Sequence, residues 1–198
     1  MHILPFEYSV AFSEGLRETS VLNPYRFHEP DKETKDLLES AIESENIFAL
    51  DGLLSNSKFE FDQFLALTMA IEGGHAKSVE RLIQDPRVDP TAKDNEAVQC
   101  AACYGRTEIV KMLLQDSRVD PSAGDNDAIR WAAINGHAKI VKMLLGNPSV
   151  DPSSENNYAI RAAAKYGQTQ VVQVLLEDPR VDPSAEDNAA IGSASEDG

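Results

Sequence analysis

Cysteine, tryptophan and basic residues are scarce in this sequence, and long apolar runs are missing. The two cysteines, Cys100 and Cys103, stand three apart. No long-range disulfide can therefore staple the fold, and no second pair exists to complete a zinc site. No stretch of about 18 apolar residues occurs, so no membrane-spanning helix is expected. The opening Met1-His2-Ile3-Leu4-Pro5-Phe6 lacks a basic region and is broken by Pro5, unlike a secretory signal. Asn147-Pro148-Ser149 is blocked as a glycosylation acceptor by its proline. An intracellular setting is expected from these absences, in the cytoplasm or the nucleus. Only 18 Lys+Arg stand against 33 Asp+Glu, a net charge of −15. Nucleic acid and anionic membranes attract the opposite balance, so neither is expected as a partner.

What is present is a repeat. Val-Asp-Pro occurs at Val88, Val119, Val150 and Val181, always 31 residues apart. Ala66, Ala97, Ala128, Ala159 and Ala190 keep the same step, as do Ala70, Ala101, Ala132, Ala163 and Ala194. Gly74, Gly105, Gly136, Gly167 and Gly198 form a further column. Each unit reads as two helices and a turn. A short Ala-rich helix such as 97–102 ends at its glycine, which can take the left-handed conformation. Asp94, Asp125, Asn156 and Asp187 stand just before these helices as expected N-caps. The second helix carries an apolar face at helical spacing, Ile109, Val110, Leu113 and Leu114, repeated at 140–145 and 171–176. Pro86, Pro148 and Pro179 follow the second helices and stop them. One helix pair cannot bury its apolar face alone, so the units must stack.

These residues carry a resemblance. The pattern Ala-Ala-x-x-Gly-His-x-x-Ile-Val, clearest from Trp131 to Val141, is similar to that of ankyrin repeats, over residues 63–198. The resemblance implies an all-α ankyrin-type solenoid of stacked helix-turn-helix repeats. It also implies a non-enzymatic module for protein–protein interaction, a scaffold or adaptor. The departures are a period of 31 where about 33 is usual, Asp127-Ala128-Ile129-Arg130 in place of the family's opening, and Val-Asp-Pro at the hairpin. Short finger loops are expected in place of full hairpins. By register the units fall at 63–93, 94–124, 125–155 and 156–186, with a half repeat at 187–198. Residues 34–62 read as a degenerate repeat, because Leu37, Leu38, Ala41, Ile42, Leu53, Leu54 and Phe59 match the first full unit. Residues 1–33 do not repeat, hold five of the 13 aromatics, and read as an N-terminal cap. Leu4-Pro5-Phe6-Glu7 is similar to the start of an F-box, but no apolar helix follows.

Catalytic and metal motifs are not found, and no cofactor is expected. Cys100-Ala101-Ala102-Cys103 has redox spacing, but Cys100 shares its column with Trp131 and Ala162, and Cys103 with Ile134 and Lys165. His75 and His137 share theirs with Arg106 and Gln168, which suits hydrogen bonds between neighbouring units and not a ligand or a general base. Asp125-Asn126-Asp127 lacks the glycine and terminal glutamate of a calcium loop. Arg87, Arg118 and Arg180 are expected to lie between rows of Asp89, Asp120 and Asp182.

In ankyrin proteins the binding face runs along the fingers and the first helices. By column, the resemblance places it at Glu72, Asn95, Glu96, Cys103, Tyr104, Asn126, Asp127, Ile134, Asn135, Glu155, Asn157, Tyr158, Lys165 and Tyr166. The turns hold most of the acids, so the expected partner is a protein whose contact surface is basic with an apolar centre. A monomer is expected. The other readings are a passive structural spacer, or the targeting part of a larger enzyme or ubiquitin-ligase adaptor continuing beyond Gly198.

Overall fold

The computed structural model describes residues 32–184. The cap expected over 1–33 and the half repeat at 187–198 therefore lie almost wholly outside the described residues. Ten helices and no strand occur among the described residues. In chain order they are α1 (Lys32–Glu43), α2 (Ile47–Ser55), α3 (Gln63–Gly73), α4 (Ala76–Ile83), α5 (Ala92–Cys103), α6 (Thr107–Gln115), α7 (Ala123–Ile134), α8 (Ala138–Leu145), α9 (Ser154–Lys165) and α10 (Thr169–Leu176). Odd-numbered helices pack side by side in one row and even-numbered helices in the other. The odd row packs more closely, and a stack of units curves toward its more closely spaced row, which makes this the concave side. Its alanines permit this: Ala97, Ala101, Ala128, Ala132, Ala159 and Ala163 are all buried.

Large aliphatics on the even row fill the space between the layers. Val79, Leu82, Ile109, Leu113, Ile140, Leu144, Val171 and Leu175 have almost no exposure. Each such side chain contributes about 1.5–3 kcal/mol when fully buried. Leu38, Ala41, Ile42, Leu50, Leu54 and Phe59 join the same core, so α1 and α2 extend the stack. Leu37, by contrast, is exposed. Val88, Val119 and Val150 anchor the turns into the core. These turns are short loops without hairpin strands.

The glycine column works as expected and serves a second purpose. Gly74, Gly105, Gly136 and Gly167 have φ between 67° and 80°. At Gly105 the helix-ending bonds run from Arg106 N to Ala101 O (2.9 Å) and from Gly105 N to Ala102 O (3.3 Å), the pattern that a left-handed terminator completes. The next unit's bridging side chain then lies over the glycine. His137 Nε2 meets Cys103 O at 3.1 Å, Gln168 Nε2 donates to Ile134 O at 3.0 Å, and Arg106 donates to Glu72 O. A Cβ on Gly105 would sit 2.5 Å from the His137 ring. The column of His, Arg and Gln thus joins neighbouring units by hydrogen bonds, as its exchangeability suggests.

The expected N-caps are corrected. Asp94, Asp125 and Asn156 do not cap helices; they sit in the middle of left-handed turns. Lys93, Asp94 and Asn95 have φ of 51°, 58° and 61°. Gly124, Asp125 and Asn126, and Glu155, Asn156 and Asn157, repeat this with φ from 50° to 66°. An N-cap needs extended backbone. Left-handed backbone costs about 1–2 kcal/mol for most L-residues, and Gly, Asn and Asp bear it best. Hydrogen bonds offset the cost. Asn95 Oδ1 accepts from Asp120 N (2.9 Å), Asn126 Oδ1 from Asp151 N (2.7 Å) and Asn157 Oδ1 from Asp182 N (2.7 Å). The turn's own carbonyls are held too, by Gln99 on Asp94 O (2.7 Å) and Arg161 on Asn156 O (3.0 Å).

The arginine ladder is also corrected. The recurrent arginines pair directly with Asp85, Asp116 and Asp178, two residues earlier, while of the Val-Asp-Pro aspartates Asp89 acts on Arg118 and Asp151 on Arg180 only through charge. Arg87 Nε and Nη2 both lie 2.8 Å from the Asp85 carboxylate. A guanidinium fork matches a carboxylate in this way, and the two-residue spacing brings them together. Asp89, Asp120, Asp151 and Asp182 instead accept from the backbone and hydroxyl of Thr91, Ser122, Ser153 and Ser184. Arg87 also donates to Phe59 O (3.0 Å) and Leu54 O (2.9 Å) of the preceding unit. Arg180 does the same to Val150 O (2.8 Å) and Leu145 O (3.3 Å), while Arg118 bonds only within its own turn.

Two mutant comparisons follow. Asn126→Ala should lower the unfolding free energy by about 2–3 kcal/mol, from an orphaned Asp151 N–H plus left-handed strain, and Asn126→Gly by about 1 kcal/mol less. Equal losses in urea denaturation would contradict the left-handed turn. Arg87→Ala should cost about 2 kcal/mol, and Arg118→Ala under about 1 kcal/mol because its pair is exposed. Indistinguishable midpoints would show that the carbonyl bonds of Arg87 contribute nothing. The pairs also set the acid limit. Hydrogen bonds from Arg87, Arg118 and Arg180 hold Asp85, Asp116 and Asp178 below the usual carboxylate range. Their stabilisation is complete above the ordinary value and is lost as pH falls through the lowered ones. Asp85→Asn should flatten the decline in stability below about pH 4; an unchanged slope would contradict the pairing.

Candidate functional site

The concave row is built from the solvent-facing side chains of α3, α5, α7 and α9. Register decides which side chains face out, because the alanine positions lie against the neighbouring helices. The fourteen residues expected on this face divide into three groups.

Five of them serve the stack. Cys103 and Ile134 are buried, at 7% and 8% exposure, and Asn126 and Asn157 are buried at 8% and 7%. The amide oxygens of Asn126 and Asn157, and of half-buried Asn95, accept from the next unit's backbone. The four buried ones offer little contact surface in the folded chain, which corrects their expected place on it, while Asn95 keeps part of its surface open. Tyr104 and Asn135 are intermediate cases. Tyr104 hydrogen-bonds to the Glu72 side chain one unit back, and burial with that carboxylate nearby pushes its phenol up to about 12. Asn135 Nδ2 donates to Trp131 O (3.1 Å) and reaches Cys103 Sγ at 3.6 Å. Both keep part of their surface open.

The others form a continuous partly open row: Glu72 on α3, Glu96 on α5, Asp127 on α7, then Tyr158, Lys165 and Tyr166 at α9, with Glu155 exposed in the adjoining turn. Tyr166 is 38% exposed, and Lys165 Nζ lies 5.7 Å from its ring centre. Burial raises the carboxyls of Glu72, Glu96 and Asp127, opposed by the Tyr104 hydroxyl, Lys93 and Arg130 respectively.

Sequence reasoning missed Arg130 and Arg161. Their guanidinium carbons lie 4.6 and 5.7 Å from the Tyr158 ring centre, one on the unit before it and one on its own helix. Arg130 Nη1 also pairs with Asp127 Oδ1 at 3.0 Å. Their column reads Thr68, Gln99, Arg130, Arg161. Its variation was the available signal, obscured because the column falls inside the unit's opening motif. Lys93, likewise missed, lies 3.7 Å from the Phe64 ring centre.

No group of three or more His, Cys, Asp or Glu able to hold a metal ion occurs among the described residues. No described helix is long and apolar enough to cross a membrane. The cysteines sit where a thiol is inert. Burial raises both, Cys103 to about 11 and Cys100 further, so little thiolate exists at neutral pH. Thiol labelling at neutral pH should therefore be negligible in the native chain and reach both cysteines in urea. Rapid stoichiometric labelling of the native chain would contradict this placement.

Comparison with known proteins agrees with the repeat geometry. No curated protein matches the chain. The family description "Ankyrin repeats (3 copies)" matches residues 38–125 and 119–187. With that match over most of its length, and the stacked helix pairs described above, the chain belongs to the ankyrin-repeat family.

Proposed function

We propose that the protein is a scaffold or adaptor that recognises a partner protein through the odd-numbered helix row and the adjoining acidic turns. Ankyrin repeats are generally protein–protein interaction modules and typically non-catalytic. The observation that supports the reading is a set of partly exposed Glu96, Asp127, Tyr158, Lys165 and Tyr166 on one helix row, one in each of two units and three in the last, on a scaffold whose other columns are largely filled by packing or bridging. Rigid aromatic side chains give large contact area at low entropy cost. The partner's contact surface is basic opposite Glu96 and Asp127, with an apolar centre. The chain acts as a monomer in the cytoplasm or nucleus, its solenoid running over residues 34–198 and residues 1–33 forming a separate N-terminal segment.

A photo-crosslinking residue at Asn135 tests this in the native source. It should capture a protein, and Tyr166→Ala should reduce the yield. Capture that is unchanged in that variant, or no capture at all, would favour a passive spacer. With the captured partner in hand, Glu96→Lys with Asp127→Lys should mainly slow association, because exposed charges steer the encounter. Tyr158→Ala with Tyr166→Ala should mainly speed dissociation. Unchanged rate constants in both double variants would move the site elsewhere.

A further inference from the structure

The right-handed parts of the concave helices carry an ordered charge. In α3 the one charged residue is Glu72, and in residues 96–103 of α5 it is Glu96. Residues 127–134 of α7 hold Asp127 and Arg130, which pair with each other at 3.0 Å. Residues 158–165 of α9 hold only Arg161 and Lys165. The formal charge by helix therefore runs −1, −1, 0, +2 along the stack. The order is specific to this row. On the edge formed by the left-handed turns, Lys93 stands in the first and Glu155 in the last.

The two poles also differ in what surrounds the charge. At the acidic pole Glu72 is tied to the Tyr104 hydroxyl, and Glu96 is half-buried. At the basic pole the cations lie against aromatic rings: Arg130 and Arg161 at Tyr158, and Lys165 at Tyr166. Arg161 also donates to Asn156 O and Glu155 O, which holds its guanidinium in place while leaving its positive charge on this face, and a guanidinium is more weakly hydrated than an ammonium. Between the poles, Trp131 is half-buried beside Asn135, and the charges on the helix itself are the mutually paired Asp127 and Arg130, with Asp125 and Asp94 near Asp127 in the adjoining turns. From α3 to α9 is three helix spacings, roughly 25–30 Å at 8–10 Å each. About 20 residues of helix span that distance.

We propose that this face docks a single helical segment of a partner protein, charged in the complementary order, with its basic end over Glu72 and Glu96 and its acidic end over Arg161 and Lys165. The inference rests on the recognition reading above and refines it: a uniformly basic partner would meet repulsion at α9. Like charges brought together on docking oppose the wrong orientation, so the gradient fixes direction as well as partner.

The test uses two Ala-rich helical peptides of about 20 residues, equal in composition and of zero net charge. Each has a central tryptophan, four glutamates and four lysines. In one the glutamates fill the N-terminal half and the lysines the C-terminal half; in the other they alternate. Binding to the full chain is measured by fluorescence anisotropy, and the site is mapped by amide chemical shifts. The block peptide should bind about ten-fold more tightly, with shifts confined to α3, α5, α7 and α9. The advantage should vanish at about 0.5 M salt, where screening acts within a few ångströms. Lys165→Glu changes an exposed side chain and should remove most of the advantage; Glu96→Gln should remove part. Equal binding of both peptides on this row would overturn the charge order and leave the recognition reading standing. Shifts confined to other surfaces would overturn both. Binding of neither peptide at millimolar concentration would overturn the inference alone, since Asn135 crosslinking judges the broader reading independently.

Discussion

In three successive repeats one amide oxygen holds the following Val-Asp-Pro turn in place. Asn95, Asn126 and Asn157 each accept from a backbone N–H 25 residues further on, at 2.7–2.9 Å. The asparagine can reach it because its own backbone is left-handed, and it tolerates that conformation because its short polar side chain does. The accepting bond fixes the Val-Asp-Pro turn, which carries its valine into the core. The aspartate following that valine then closes the turn on its own Ser or Thr. Hydrophobic burial supplies most of the favourable free energy. That force has no direction, and these bonds set the repeat-to-repeat register in which the apolar faces meet.

Two further bridges act along the same axis. The His/Arg/Gln column reaches a carbonyl at the end of the preceding first helix, over a glycine that has no Cβ to obstruct it. Arg87 and Arg180 reach carbonyls at the end of the preceding second helix and in the preceding turn. Each bridge satisfies a carbonyl left without an intrahelical partner. Neighbour-to-neighbour bonding of this kind makes a solenoid mechanically continuous although each unit touches only the next. It also consumes many of the polar side chains that look available for binding, and what remains on the concave row is a narrow set of charged and aromatic groups.

Much of the architecture was legible because a 31-residue period repeats the same physical demand five times. Ala at 97, 128 and 159 and Gly at 105, 136 and 167 could be read as close packing and a helix stop without coordinates. The left-handed turn was not legible, because Asp-Asn before an apolar helix is also what an N-cap looks like. Local residue preference does not separate the two conformations; the long-range bond to the next turn does. The face was legible in part. Asn95, Asn126 and Asn157 keep one residue type through three successive units, although Phe64 stands there in the first full unit; such constancy is the mark of a structural position, yet their polarity suggested a surface role. Cys103 and Ile134 share a column with exposed Lys165, and only the packing of the neighbouring unit reveals that the first two are covered. Arg130 and Arg161 were hidden because their contacts lie across helices, where sequence spacing gives no distance.

The central claim is that the asparagine bonds hold the turns, and amide hydrogen exchange of the full chain tests it most directly. The N–H groups of Asp120, Asp151 and Asp182 belong to solvent-facing residues in turns, where unbonded amides exchange quickly. With asparagine acceptors in place, the Asp120 and Asp151 amides should exchange as slowly as those of α5 and α7. Exchange of all three at the rate of an unstructured chain would contradict the account.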